Sequence, residues 1–152
     1  MISCKELADL IDWSAVRAQN ELDIPTEKLM LGLSELAKSY IGEYQAGWAP
    51  LAETTLNGWM GFPGKIELGY SPPDNPLLRE GAMRESIGGE AAIMPGGAEG
   101  VVGSRDIVAL WQEMGTTRGI PPRPFLGLAM MQSQAAATVL FGEFALTLLA
   151  PR

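Results

Sequence analysis

Histidine is missing from these 152 residues, and cysteine occurs once, at Cys4. The first absence removes the usual zinc ligand and the usual general base near neutral pH. The second rules out a disulfide within the chain and fits a reducing compartment. Basic residues are also scarce, 11 against 18 acidic ones, for a formal charge of −7. A general electrostatic grip on nucleic acid needs the opposite balance, and an anionic membrane surface would repel this one. No internal repeat or low-complexity tract is present. The first residues, MISCKELADLIDW, mix acids with apolar positions instead of showing a basic end and a pure apolar core, so they do not read as a signal peptide. The run AAATVLFGEFALTLLA near the C-terminus is short and carries Glu143 at its centre, which argues against a membrane span.

What is present is apolar: 47% of the residues are hydrophobic and 19% charged, enough for one domain spanning 1–152 with a real core. Ser3 followed by Glu6 fits a capping box, after which Leu7, Leu10 and Ile11 recur at helical spacing, with a restart at Ser14. Pro25 suits the first turn of a second helix, whose core stripe is read as Leu29, Leu33, Leu36 and Tyr40. From 45 to 76 glycine or proline recurs every few residues, and one short helix, Ala52 to Trp59, is expected. Trp48, Trp59, Phe62 and Tyr70 fall in this stretch. Aromatic side chains bury much area for little lost entropy, so the segment reads either as an arm ordered by a neighbour or as a loop folded back on its own domain.

A short helix is expected around Leu77 to Ile87, weakened at Gly81. GEAAIMP and EGVVGS, joined through Gly96-Gly97, predict a β-hairpin. Ser104 is expected to cap the next helix, where Ile107, Leu110, Trp111 and Met114 keep helical spacing and Gly115 ends it. A last helix is expected from Pro124. Its polar side chains are confined to Gln132, Ser133, Gln134, Thr138, Glu143 and Thr147, so burial on more than one side is expected. The fold class that follows is α+β: helices packed on a small antiparallel sheet, a long extended loop, and a long apolar C-terminal helix.

Chemistry finds little footing. GWMGFPGKI ends in Gly64-Lys65, yet Trp59 stands where a Walker loop starts with glycine, and Ile66 replaces its Ser or Thr. GGAEGVVG lacks the dinucleotide-binding spacing. Glu6 with Asp9, and Glu85 with Glu90, are close in sequence but have no neighbouring nucleophile, and Cys4 has no histidine to serve as its base. No carboxylate loop of the calcium-binding kind occurs. Neither an enzyme nor a cofactor or metal site is expected.

Three blocks carry a resemblance. GSRDIVALWQEMGTTRGIPPRPFLGLA, with Gly103-Ser104, Trp111, Glu113 through Thr116 and Pro121 through Leu126, is similar to the head–tail joining and tail-completion proteins of tailed bacteriophages, also called virion morphogenesis proteins. There, a strand ends in Gly-Ser, a short helix leads to Phe-Gly-Thr, and Pro-x-Arg-Pro-Phe-Leu opens a terminal helix. PLLREGAMRESI at 76–87 resembles the family's Leu-x-x-Thr-Gly-x-Leu-x-x-Ser-Ile, and WAPLAETT at 48–55 its Trp-x-Pro-Leu-x-x-x-Thr. Glu80 replaces the usual Thr and Met114 the common Phe. The resemblance implies a homo-oligomeric ring, commonly a hexamer, in the virion neck or tail, made in the host cytoplasm. Its implied partners are a portal, adaptor or head-completion protein on one side and a tail-tube or terminator protein on the other. DNA would pass through the lumen without specific binding, and no membrane is involved. A tail-tube terminator and a non-virion assembly factor are the alternatives. Subunit or partner contacts are expected at Trp48, Trp59, Phe62, Tyr70, Trp111, Glu113, Arg118, Arg123 and Phe125. Arg123, between two prolines, is expected to pin the loop to a carboxylate or a helix end, or else to remain a solvated charge.

Overall fold

A computed structural model describes residues 3–150. The described residues form six helices and one two-stranded antiparallel sheet: α1 (Cys4–Glu21), α2 (Asp23–Ser39), α3 (Glu53–Asn57), α4 (Ala82–Glu85), β1 (Ile87–Met94), β2 (Gly97–Ser104), α5 (Ile107–Met114) and α6 (Leu126–Leu149). The class is α+β, with helices packed on a small sheet. Among the described residues no helix is long and apolar enough to cross a membrane. The chain divides into two compact units. One comprises the chain up to Glu35, Gly88–Gly103 and the chain from Ala129; the other comprises Leu36–Ile87 and Ser104–Leu128.

In the first unit α1 starts on the expected capping box. The Glu6 N–H donates to Ser3 Oγ at 3.2 Å, and the Ser3 N–H donates to the Glu6 carboxylate at 2.7 Å. That backbone hydrogen bond from Ser3 holds the Glu6 carboxyl below its ordinary range. The helix does not restart at Ser14. Its buried hydroxyl shares one proton between the carbonyls of Leu10, 2.7 Å away, and Leu148, 2.8 Å away, which ties α1 to the end of α6. Arg17 strengthens the same seam. It stacks over Trp13, pairs with Glu21 at 2.7 Å and donates to the Thr147 carbonyl at 3.1 Å, where a cation suits the negative end of α6.

The hairpin lies against α2 at two bare glycines. A Cβ on Gly89 would sit 2.5 Å from the Met30 carbonyl oxygen, and one on Gly100 would sit 2.7 Å from Met30 Cγ. The sheet therefore lies against the Met30 backbone at Gly89 and against the Met30 side chain at Gly100, and Met30 and Leu33 are buried. Pro95 and Gly96 make the two-residue turn, one residue earlier than Gly96-Gly97. Proline presets the first turn position, and Gly96, at φ 88°, supplies the positive angle of the second.

In the second unit the core holds Ala37, Tyr40, Ile41, Met83, Ile87, Ala109 and Phe125. The buried face of α2 thus runs Met30, Leu33, Ala37, Tyr40, with Leu29 and Leu36 only half-buried, so the expected stripe is rotated by about one residue. The helix expected over Leu77 to Ile87 survives only as α4, because Leu77 takes φ 63° and Gly81 takes φ 91°. Asp106, not Ser104, caps α5: its carboxylate accepts from the Val108 N–H at 2.9 Å. Ser104 instead bonds Ser86 Oγ at 2.6 Å and accepts from the Asp106 N–H at 3.0 Å.

Much apolar surface stays uncovered. In α1 Leu7 and Ile11, read as core, are about half exposed, and in α6 only Ala129 is buried while Met131 and Leu146 are each 70% exposed.

Candidate assembly interface

The stiff run Pro121-Pro122-Arg123-Pro124 leads into a joint made within the second unit. Gly115 ends α5 at φ 71°. A Cβ there would meet the Ile120 carbonyl oxygen at 2.9 Å, so the chain can double back only with glycine at that point. The return brings the Arg123 N–H to the Gln112 carbonyl at 2.6 Å. Arg123 is buried, and its guanidinium donates to the Ala49 carbonyl from Nη2 at 3.0 Å and from Nε at 3.3 Å, and to the Pro50 carbonyl at 3.1 Å. Arginine does pin the loop, but through two main-chain carbonyls, not a carboxylate or a helix end.

Three residues later, at Leu126, α6 begins. Its first N–H groups have no partner inside the helix, and the Glu113 carboxylate takes three of them: Phe125 at 2.8 Å, Leu126 at 3.0 Å and Gly127 at 2.8 Å. A negative group at this end also meets the positive end of the helix dipole. Phe125, next to it, has no exposed surface at all. Glu113, Arg123 and Phe125 therefore serve the joint; a partner could not reach Phe125 without unfolding it.

The loop that Arg123 holds is folded on itself. The Tyr44 hydroxyl donates to Asp74 Oδ1 at 2.6 Å and accepts from the Leu51 N–H at 2.9 Å, closing the ends of the segment. Burial, and then the neighbouring carboxylate, push the Tyr44 hydroxyl's pKa up. Lys65 donates to the Asn75 carbonyl and lies 5.7 Å from the centre of the Tyr70 ring; loss of water lowers its pKa, against the opposing pull of Asp74. Trp48 and Tyr70 are half-buried in this structure. Arg118 is exposed on the tight turn closed by Thr116 and Ile120.

Between Gly58 and Gly64 the loop projects a short finger. The Trp59 N–H donates to the Phe62 carbonyl at 3.0 Å, and the Phe62 N–H returns the bond to Trp59 at 2.9 Å. Met60 at φ 48° and Gly61 at φ 84° are the central pair, the signature of a type I′ turn. At its base the backbone of Gly58 lies against that of Gly64, where a Cβ on Gly64 would come within 2.2 Å of the Gly58 nitrogen. Close backbone approach thus requires glycine at positions 58 and 64, and the positive φ of the turn favours it at 61. The tip is bare: Trp59 is 64%, Met60 76% and Phe62 75% exposed.

A second bare face lies on α5. Ile107, Leu110, Trp111 and Met114, the whole helical stripe, are all exposed. The structure thus sorts the nine expected contact residues into a buried joint (Glu113, Arg123, Phe125), two exposed apolar faces (Trp59 with Phe62, and Trp111), and Trp48, Tyr70 and Arg118 elsewhere on loops. Sequence reasoning missed Met60, whose signal is its place before Gly61 in a turn, and Tyr44, for which no signal exists. Among the described residues no group of three or more His, Cys, Asp or Glu could hold a metal ion.

Compared with protein-family models, curated proteins and solved structures, the chain matches none of them.

Proposed function

We propose that this chain is a structural subunit of a bacteriophage neck, assembling into a ring at the head–tail junction around the DNA channel. One observation carries the reading. The blocks that resemble the virion morphogenesis family, at 48–55, 76–87 and 104–129, lie far apart in sequence, yet all but the last residue, Ala129, belong to one compact unit. They are also bonded to one another: Arg123 holds Ala49 and Pro50, and Ser86 holds Ser104. The reading is supported by these bonds, which tie the three blocks into one joint. The bare faces of the finger and α5 supply what a ring subunit needs, apolar surface for its neighbours. A net charge of −7 would let DNA slide past the lumen without adhering.

The test is to delete the gene in a phage that encodes it and image the lysate by negative-stain electron microscopy. Separate DNA-filled heads and finished tails are the expected outcome. Overlong or ragged tails would move the protein to tail termination, and normal infectious particles would end the virion reading.

A further inference from the structure

Asn57 stands before Gly58, the one Asn-Gly pair in the sequence, and such a pair carries a chemistry of its own. The amide nitrogen of the following residue attacks the asparagine side-chain carbonyl carbon, and glycine, with no Cβ, leaves that approach open. The bond from the Gly58 nitrogen to Asn57 Cγ forms, and the Cγ–Nδ2 bond breaks. The Gly58 N–H proton passes through solvent to the departing nitrogen, which leaves as ammonia. Water then opens the cyclic imide at one or other carbonyl, giving aspartate or isoaspartate at position 57. Asn57 is exposed, so water reaches it. Neither other asparagine is placed so: Asn20 precedes Glu21, and Asn75 precedes Pro76, which has no N–H to lose.

The finger imposes this pair, because a Cβ at position 58 would lie 2.4 Å from the Phe62 carbonyl oxygen. The same structure keeps the reacting groups apart. Asn57 is the last residue of α3, and its Nδ2 donates to Glu53 Oε2 at 2.7 Å, which turns the amide toward the preceding turn of the helix. The Gly58 N–H donates to the Thr54 carbonyl at 3.0 Å, so its proton is harder to lose. Gly64 closes over the same peptide unit: a Cβ on it would come 2.5 Å from the Asn57 carbonyl carbon.

We propose that Asn57 is a site of spontaneous deamidation, latched while α3 and the foot of the finger are closed and released when they open. The attack needs the last turn of α3 to unwind, so its rate follows the fraction of time spent open. The change is one-way. Aspartate at 57 loses the bond to Glu53 and sets a second carboxylate four residues from it, where like charges repel. Isoaspartate adds a carbon to the backbone where Gly58 and Gly64 leave no room. Either product loosens the foot that holds Trp59 and Phe62, whatever those residues meet.

The experiment incubates the full chain in mildly alkaline buffer and follows the amide-to-acid mass gain of each asparagine by peptide mapping. In the denatured chain Asn57 should convert well ahead of Asn20 and Asn75. In the native chain it should convert roughly tenfold more slowly, as a site that reacts only from its open form. Gly64→Ala forces the foot apart without altering residues 57 and 58, and should remove most of that protection. Glu53→Ala should speed conversion about twofold, the scale of one exposed i, i+4 bond, while Glu53→Gln keeps an acceptor and should stay near the native rate. Thermal melts check that each variant is folded. Equal rates in the native and denatured chains, or no conversion in either, would overturn the proposal, and so would a folded Gly64→Ala chain that stays fully protected. Should Gly64→Ala not fold, the Glu53 variants decide, and a native rate in Glu53→Ala overturns the latch. Asn57→Asp should be cut between Gly58 and Gly64 about threefold faster than the native chain in limited proteolysis, from the lost bond and the added repulsion together. An unchanged cutting rate would show that the product leaves the finger seated and would overturn its release.

Discussion

Arg123 is a buried charge, tolerated because three hydrogen bonds to carbonyls replace its water. The planar fork reaches two adjacent carbonyls at once, which a lysine ammonium on a flexible stem cannot reproduce. Arg123→Lys should therefore cost roughly 1–3 kcal/mol, as for bonds to a charged donor. It should also speed proteolysis near Ala49, and denaturant melts with limited proteolysis check both effects. Phe125→Ala should cost roughly 3–5 kcal/mol, because a fully buried ring would leave a cavity. A melt at the native midpoint would remove Phe125 from the core. The motif Pro-Arg-Pro-Phe marked both residues in the sequence. Their partners were not legible, because Ala49 and Pro50 contribute only backbone carbonyls, which no residue type announces.

At the scale of elements, the finger holds a non-glycine residue where glycine is easiest. Left-handed backbone at Met60 costs on the order of 1–2 kcal/mol, so Met60→Gly should stabilise the chain by about 1 kcal/mol, less the added chain entropy of glycine. A chemical denaturation midpoint that rises confirms the strain; one that falls shows the Met60 side chain to be packed after all. Helices with caps written into them were largely legible, as Ser3 with Glu6 shows. The start of α5 was not, since Ser104 and Asp106 are both good caps and only the bond from Ser104 to Ser86 decides between them. Periodicity likewise marked the stripe on α5 without saying which way it faces. An apolar stripe looks the same whether its own domain or a neighbour covers it.

In the assembly proposed for the whole molecule, like charge opposes the approach of copies and apolar surface favours it. Self-association should therefore strengthen as salt rises from about 10 mM to 150 mM, since the screening length falls from about 30 Å to about 8 Å. Sedimentation at the two salt concentrations checks this. Weakening with salt would point to an interface held by ion pairs, which neither the uncharged finger nor α5, whose one carboxylate is bound to the start of α6, offers.

The sequence by itself determined the α+β class, the hairpin, the capped first helix and the place of the Pro-rich joint. Those are local matters: capping groups, turn residues and side-chain period act within a few positions of themselves. Tertiary structure alone decided which carbonyls Arg123 holds, that Glu113 caps α6 from a different helix, and that the Trp59–Phe62 tip and the α5 stripe stay bare. Contacts between residues 12 to 74 positions apart depend on how the chain returns to itself, and exposure depends on what the rest of the chain leaves uncovered.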